Sequence, residues 1–133
     1  MKKSDFTKGQ IVYMFIIPGS NAYRYVKDKA FESRIIPAAV VSVGNKYISV
    51  KPDKWTWGNV IRFHADDFSQ VYDVGGADYQ IFLSEQDIYD YQEAEDIYNF
   101  IKFSFSDFKN QDKYSLSQLR RVREILKEKA INE

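Results

Sequence analysis

The sequence predicts an α+β fold, a small SH3-like antiparallel β-barrel followed by a C-terminal helical hairpin. Up to residue 83, short runs of β-branched and aromatic residues alternate with turn residues, which is typical of a small barrel. After residue 84 the apolar residues recur every three or four positions, the spacing of amphipathic helices. We therefore expect residues 1–133 to form a single compact domain, with the barrel in 1–83 and the hairpin in 84–133.

The first half of the predicted barrel contains three strands. The first is predicted at 11–17, and a long basic, aromatic loop is expected at 22–33 because that stretch has little periodicity. Two further strands, 34–43 and 46–51, flank Gly44-Asn45, a pair that favours a two-residue hairpin turn. That turn sets a register in which the inward face is Ala39, Val41, Val43, Ile48 and Val50.

The second half of the chain changes from short strands to helices. Strands are predicted at 60–64, 70–74 and 79–83, and a helix from about 85 to 106 follows a capping signal at Ser84. A second helix is predicted after the similar signal at Ser115. We expect the two helices to pair with each other and against the barrel through their apolar stripes, which are Tyr91, Ala94, Tyr98, Ile101, Phe105 and Phe108 in the first and Leu119, Val122 and Leu126 in the second.

The composition limits the classes of site that are available. The chain has no cysteine, which excludes disulfides and thiolate metal sites and suits a reducing compartment. It also has no apolar run long enough for a signal peptide or a membrane span. We therefore expect a cytoplasmic protein with no membrane partner, no metal and no small-molecule cofactor, and the oligomeric state stays open.

The formal net charge of zero conceals a segregation of charge along the chain. Residues 1–62 hold eleven lysines or arginines against four acidic residues, whereas 63–101 hold ten acidic residues and no lysine or arginine. Residues 102–133 return to eight basic and five acidic residues. Such an asymmetry indicates a partner that is recognised by charge.

The basic part of the chain mixes cations with aromatic rings, which is typical of surfaces that bind single-stranded nucleic acid. The candidate binding residues are Tyr23, Arg24, Tyr25, Lys27, Lys29, Lys51, Lys54, Trp55, Trp57 and Arg62. The alternative is that one tryptophan fills the barrel and the tyrosines cover its outside.

The acidic helix offers a second candidate surface, for a basic protein partner. Its residues are Asp87, Asp90, Glu93 and Asp96. This stretch is otherwise a solvated helix face, and the basic residues of the last helix, Arg120, Arg123 and Lys127, are expected to pair with it inside the chain.

Catalysis has little support in the sequence. His64 is the only histidine, and it precedes Asp66 and Asp67, but no second histidine, cysteine or nucleophile motif accompanies it. The glycines occur in isolated turns and form no phosphate-binding pattern. We therefore expect a protein that is not an enzyme.

Three segments resemble a known group of proteins: Lys8-Gly9-Gln10-x-Val12-Tyr13, the stretch from Ile36 to Val50, and Tyr79-x-Ile81-Phe82-Leu83-Ser84. Over residues 7–126 the chain resembles small uncharacterised β-barrel-domain proteins of Firmicutes and their phages. The resemblance implies a mobile-element origin and a function in binding a host or phage macromolecule.

The leading hypothesis is a non-enzymatic binding module of a phage or mobile element that contacts nucleic acid or a nucleoprotein through a basic aromatic barrel surface. The alternative is an inhibitor of a host defence nuclease, of the anti-CRISPR kind, that uses the acidic surface. A small enzyme is the third class.

Overall fold

The computed structural model describes residues 1–53, 59–106 and 113–128. The α-helices and strands of this part are β1 (Ile11–Ile16), α1 (Asn21–Tyr25), β2 (Ile35–Val43), β3 (Tyr47–Pro52), β4 (Ile61–His64), β5 (Tyr79–Phe82), α2 (Glu85–Ser106) and α3 (Leu116–Lys127). The chain divides into two compact units, a barrel unit (Met1–Tyr91) and a helical unit (Gln92–Glu133). Folding of the whole chain as one domain stays a prediction.

The barrel unit contains one antiparallel sheet with the strand order β4-β3-β2-β1-β5. The sheet is nearly closed, because Gln70 bridges the gap between its two edge strands. The backbone of Gln70 pairs with Phe63 of β4, and its side-chain oxygen accepts hydrogen bonds from the backbone N–H groups of Asp78 (2.8 Å) and Tyr79 (2.9 Å). The predicted arrangement of a barrel followed by helices is confirmed.

The inside of the barrel is filled by alternate residues of all five strands. The buried set includes Val12, Met14, Ile16, Ala38, Val40, Ile48, Val50, Ile61, Phe63, Tyr79 and Ile81. Because successive strand residues point to opposite faces, the intervening residues form the outer surface of the barrel. Tyr47, Ser49 and Lys51 of β3 and Arg62 and His64 of β4 are therefore on the outside.

The predicted register of the β2–β3 hairpin is wrong. Val43 pairs with Ile48, and a bulge at Val41 shifts the register between Val40 and Ser42. The connection has three residues, and Gly44 lacks the positive φ that a two-residue primed turn requires. Consequently Ala38 and Val40 face inward and Val41 is exposed, the change of face expected from a one-residue slip.

Two other segments differ from their predictions. The stretch 22–33 is not one long loop, because α1 occupies its start and a 3-10 helix, Glu32–Arg34, follows it. The Ser20 hydroxyl caps α1 by accepting from the N–H of Tyr23, and a helix of this length leaves no periodicity in the sequence. Residues 70–74 contribute one bridge at Gln70 and no strand, since the positive φ of Gly75 and Gly76 turns the chain away.

Both long helices begin where the sequence predicts. The hydroxyl of Ser84 accepts from the N–H of Asp87, and at α3 the side chains of Ser115 and Gln118 each accept from the other's N–H. Within α2, Ile88 is fully buried, and the ring of Tyr91 lies 5.7 Å from that of Phe82.

The rest of the α2 stripe is not buried as expected. Tyr98, Ile101 and Phe105 are exposed, and Phe108 lies outside the described residues. The expected ion pairs between the helices are also missing from residues 85–106 and 113–128, where Glu124 of α3 pairs with Arg123 and Lys127 of the same helix. For Arg123 and Lys127, a carboxylate within one turn of the same helix is a partner of less entropic cost than one on a second helix.

Among the described helices, none has the length and hydropathy needed for a membrane-spanning segment.

Tyr79 makes the stability of the barrel sensitive to alkaline pH. Burial raises the pKa of the Tyr79 phenol from its ordinary 10.0 to about 12, and the nearby carboxylate of Asp78 acts in the same direction. The unfolded chain therefore loses this proton before the folded chain does, so the free energy of unfolding should fall as the pH rises from about 10 to about 12. Denaturant unfolding across this range should show a fall that Tyr79→Phe reduces; an identical fall in the variant would contradict the assignment.

Candidate functional site

The outer surface of β3 and β4 carries a group of cations and rings, which we call the strand patch (Tyr47, Lys51, Arg62 and His64). The register of the two strands places Tyr47 opposite His64 and Ser49 opposite Arg62. The Arg62 guanidinium lies 5.0 Å from the centre of the Tyr47 ring, and the ring of His64 lies 5.7 Å from the same ring. The Tyr47 ring holds Arg62 against the sheet while the Arg62 charge stays exposed.

A second group surrounds Arg34, at the start of β2, and we call it the arginine cage (Phe15, Tyr23, Phe31 and Arg34). The Arg34 guanidinium carbon lies 4.6 Å from the centre of the Phe15 ring, 5.6 Å from that of Tyr23 and 5.7 Å from that of Phe31. Phe15 is on the outside of β1, opposite Ile35, and Phe31 covers its ring at 5.1 Å. The cage is therefore built on the outer face of the sheet.

The Nε atom of Arg34 is buried and has no hydrogen-bond partner within the described residues. No carboxylate there lies within ion-pair distance of its guanidinium. A buried donor without a partner costs about 1–3 kcal/mol, and the three rings are the contacts that the structure provides for the guanidinium. The structure thus fixes the position of a cation whose charge no group of the described residues neutralises.

The strand patch and the arginine cage lie on the same outer surface. Arg34 directly precedes β2, and Ala39 of that strand pairs with Lys51 of β3. Arg34 and Ala39 are five residues apart, which corresponds to roughly 16 Å at the usual rise per strand residue. A chain of a few nucleotides is long enough to contact both groups.

The charges of the barrel unit are not neutralised internally. Both ion pairs found in the described residues belong to α3, so in 1–53 and 59–91 no lysine or arginine has a carboxylate partner. The Lys29 ammonium instead lies 5.1 Å from the centre of the Tyr23 ring and donates to the carbonyl of Val26. Cations left in this state are available to an anionic ligand.

The structure brings some of the sequence-predicted residues together and leaves others apart. Lys51 and Arg62 share the strand patch, and Tyr23 and Lys29 are in contact beside Arg34. Arg24, Tyr25 and Lys27 lie on or just after α1 with exposed side chains, and Tyr25 is 79% exposed. Lys54, Trp55 and Trp57 lie outside the described residues.

The candidate acidic residues lie on α2 with exposed side chains. Gln86 and Gln92 donate to the carboxylates of Asp90 and Asp96 from one turn earlier. Because each step of three residues turns by about 300°, the four positions from Asp87 to Asp96 spread over half of the helix circumference. They form a broad acidic sector and not a narrow stripe.

Sequence reasoning missed Phe15, Phe31, Arg34, Tyr47 and His64 as members of the two groups. The sequence predicts Arg34 to be the first residue of a strand. Its contacts with Phe15 and Phe31 depend on the 3-10 helix Glu32–Arg34, which leads the chain into β2. For Tyr47 the sequence contains a signal, because alternation along the predicted strand 46–51 places this ring on the face opposite Ile48 and Val50.

His64 has a structural position at the end of β4. Its ring packs against that of Tyr47 at a tilt of 49°, and its backbone N–H donates to the carbonyl of Ser69. The neighbouring Asp67 accepts hydrogen bonds from the hydroxyl and N–H of Ser69, which lower the pKa of its carboxyl. The described residues contain no group of three or more histidine, cysteine or acidic side chains that could hold a metal ion.

Comparison with known proteins gives one match. The family model of the phage ProQ C-terminal-like domain matches residues 1–129, nearly the whole chain. No curated protein and no solved structure matches the sequence. The family supports the expected phage association.

Proposed function

The chain belongs to the family of phage ProQ C-terminal-like domains, and from this premise we propose that it is a non-enzymatic module that binds single-stranded nucleic acid through the outer face of its barrel. The observation that carries the proposal is the pairing of cations with rings at positions where none of the described carboxylates forms an ion pair with them. Phosphates are the natural partners of such cations, and bases stack on aromatic faces.

The geometry favours a flexible single strand over a rigid duplex. The arginine cage and the strand patch are separated along β2, and α1, which supplies Tyr23 to the cage, also carries the exposed ring of Tyr25. Unpaired bases can turn outward to stack on separate rings, whereas the bases of a duplex are already stacked and its faces are closed. A nucleoprotein with exposed strands would offer the same chemistry.

Three finer expectations belong to this proposal. The barrel is of the SH3-like class, the source is a phage or mobile element of Firmicutes, and the protein works in the cytoplasm of its bacterial host. The competing proposal, inhibition of a host defence nuclease, needs the acidic sector of α2 in place of the barrel surface.

The test is binding of labelled single-stranded RNA, single-stranded DNA and duplex DNA, followed by fluorescence anisotropy over a range of salt concentrations. The double variant Lys51→Gln/Arg62→Gln removes two exposed cations from the strand patch. We expect roughly tenfold weaker binding to single strands at low salt, and a slope of log affinity against log salt that is smaller by about 1.4.

A matched control is Lys102→Gln/Lys113→Gln, which removes the same charge from exposed positions beyond the barrel unit. It should bind nearly as the parent chain does. Equal losses in both double variants would show that net charge alone governs binding, and weak binding of all three probes with no dependence on salt would refute the proposal.

A further inference from the structure

The helical unit exposes a wide apolar face along the second half of α2. The exposed large apolar residues are Ile97, Tyr98, Phe100, Ile101, Phe103 and Phe105. At 100° per residue these positions cover roughly 220° of the helix circumference, and the polar residues Asn99, Lys102 and Ser106 occupy the remaining sector. This face is about twice as wide as the stripe that a surface helix usually buries, which indicates that a partner covers part of it.

A groove lies between α2 and α3 inside the same unit. It has a volume of about 490 Å³, and its walls include Phe100, Ile101 and Phe105 of α2 and Leu119, Val122 and Leu126 of α3. A cavity of about 150 Å³ holds one benzene ring, so this groove has room for more than one side chain. The rings of Phe105 and Tyr114, 5.3 Å apart, close one end of the hairpin.

The charges of the two helices indicate what covers these surfaces. The first half of α2, residues 85–96, holds six carboxylates and no cation, whereas α3 holds Arg120, Arg121, Arg123 and Lys127. Within the described residues no ion pair joins the two helices of one chain. Each helix therefore keeps a charge that complements the other helix.

We propose that a second copy of this chain covers the helical unit, forming a twofold symmetric dimer. The apolar second halves of α2 pack against each other and into the groove, and α3 of each copy lies against the acidic first half of the other α2. Tyr98, Phe100, Phe103 and Phe105 alone offer roughly 400–600 Å² of ring surface, at least half of the about 800 Å² that a stable interface buries on each partner. In a twofold dimer the same surface of both copies forms the interface. This arrangement buries the apolar side chains and also pairs the acidic half of each α2 with the basic α3 of the other copy.

The first test is the mass of the full chain, measured by light scattering and sedimentation without nucleic acid. We expect twice the 15.6 kDa of one chain. Phe100→Glu, at a position that is 72% exposed, should weaken dimerisation at least tenfold because it places two charges in the interface. The control Val74→Glu, at a 90% exposed position of the barrel unit, should leave the dimer intact, and the thermal unfolding of both variants shows that they fold.

Charge reversal separates pairing between copies from pairing within one chain. The variant Arg120→Glu/Arg121→Glu makes α3 acidic, so that it faces an acidic α2 in the dimer. The variant Glu93→Lys/Asp96→Lys puts two cations on α2, where they face the basic α3 of the other copy. Each variant alone should dimerise at least tenfold more weakly than the parent, and an equal mixture of the two should recover a heterodimer.

A monomer mass at every concentration, or a dimer that survives both Phe100→Glu and charge reversal, would overturn the proposal. Dimerisation that fails to recover on mixing would also overturn it. The nucleic-acid binding proposed for the barrel can hold or fail independently, because the variants of the two tests lie in different units.

Discussion

Phe63→Ala is expected to lower the free energy of unfolding by about 3–5 kcal/mol, a large part of the stability of a domain of this size. Phe63 is fully buried, and on β4 it lies between Ile48 of β3 and the bridge to Gln70. Truncation removes the contacts of a ring and leaves a cavity at the point where the two edge strands approach.

Urea unfolding of the full chain measures this effect. Val74→Ala, at an exposed position of the same unit, should change the free energy of unfolding by less than about 0.5 kcal/mol. A loss below about 1 kcal/mol for Phe63→Ala would mean that the centre of the barrel is not packed as the structure shows.

Gln70→Ala is expected to lower the free energy of unfolding by about 2–4 kcal/mol. Its side-chain oxygen is the acceptor for the N–H groups of Asp78 and Tyr79, and each donor left without a partner costs about 1–3 kcal/mol. The substitution should separate the edges of β4 and β5 while leaving the ladders between the other strands in place.

Gln70→Glu is the matched variant, because a carboxylate oxygen can accept the same two hydrogen bonds. It should lose less than half as much stability as Gln70→Ala in the same urea experiment. Equal losses in the two variants would show that the amide group of Gln70 contributes through something other than its acceptor.

The sequence predicted the long helices accurately because their ends depend on neighbouring residues. At Ser84 and Ser115 the cap side chain and the N–H that it binds are three positions apart, so the signal is local. The five-residue α1 lacks such a signal beyond Ser20, and its position also depends on the bond from the N–H of Ala22 to the Asp78 carboxylate, 56 residues away.

The β2–β3 hairpin shows why a strand can be predicted while its facing residues are not. Its two strands occupy the predicted stretches within one residue. The facing residues depend on the number of residues in the turn and on the bulge at Val41. Ile48 and Val50 of β3 face inward as predicted, whereas on β2 Ala38 and Val40 take the inward positions predicted for Ala39 and Val41.

The sequence predicted a basic, aromatic binding surface on the barrel but not all of the residues that form it. The basic and aromatic content of residues 1–62 indicated a binding surface, and Lys51 and Arg62 do lie on one face. The arginine cage was not predictable, because Phe15, Tyr23 and Arg34 come from three separate elements that meet through the tertiary fold.

At Arg34 the residue that would give the most stable fold differs from the residue that the proposed binding needs. A hydrocarbon side chain of similar length, such as methionine, would fill the space among the rings without leaving a donor unpaired. Selection for stability alone therefore favours an apolar residue at position 34, whereas the proposed contact with phosphate requires the cation. Stabilising the barrel by laboratory evolution, without selecting for binding, should consequently remove this arginine early, a trade-off between stability and activity that is common at functional sites.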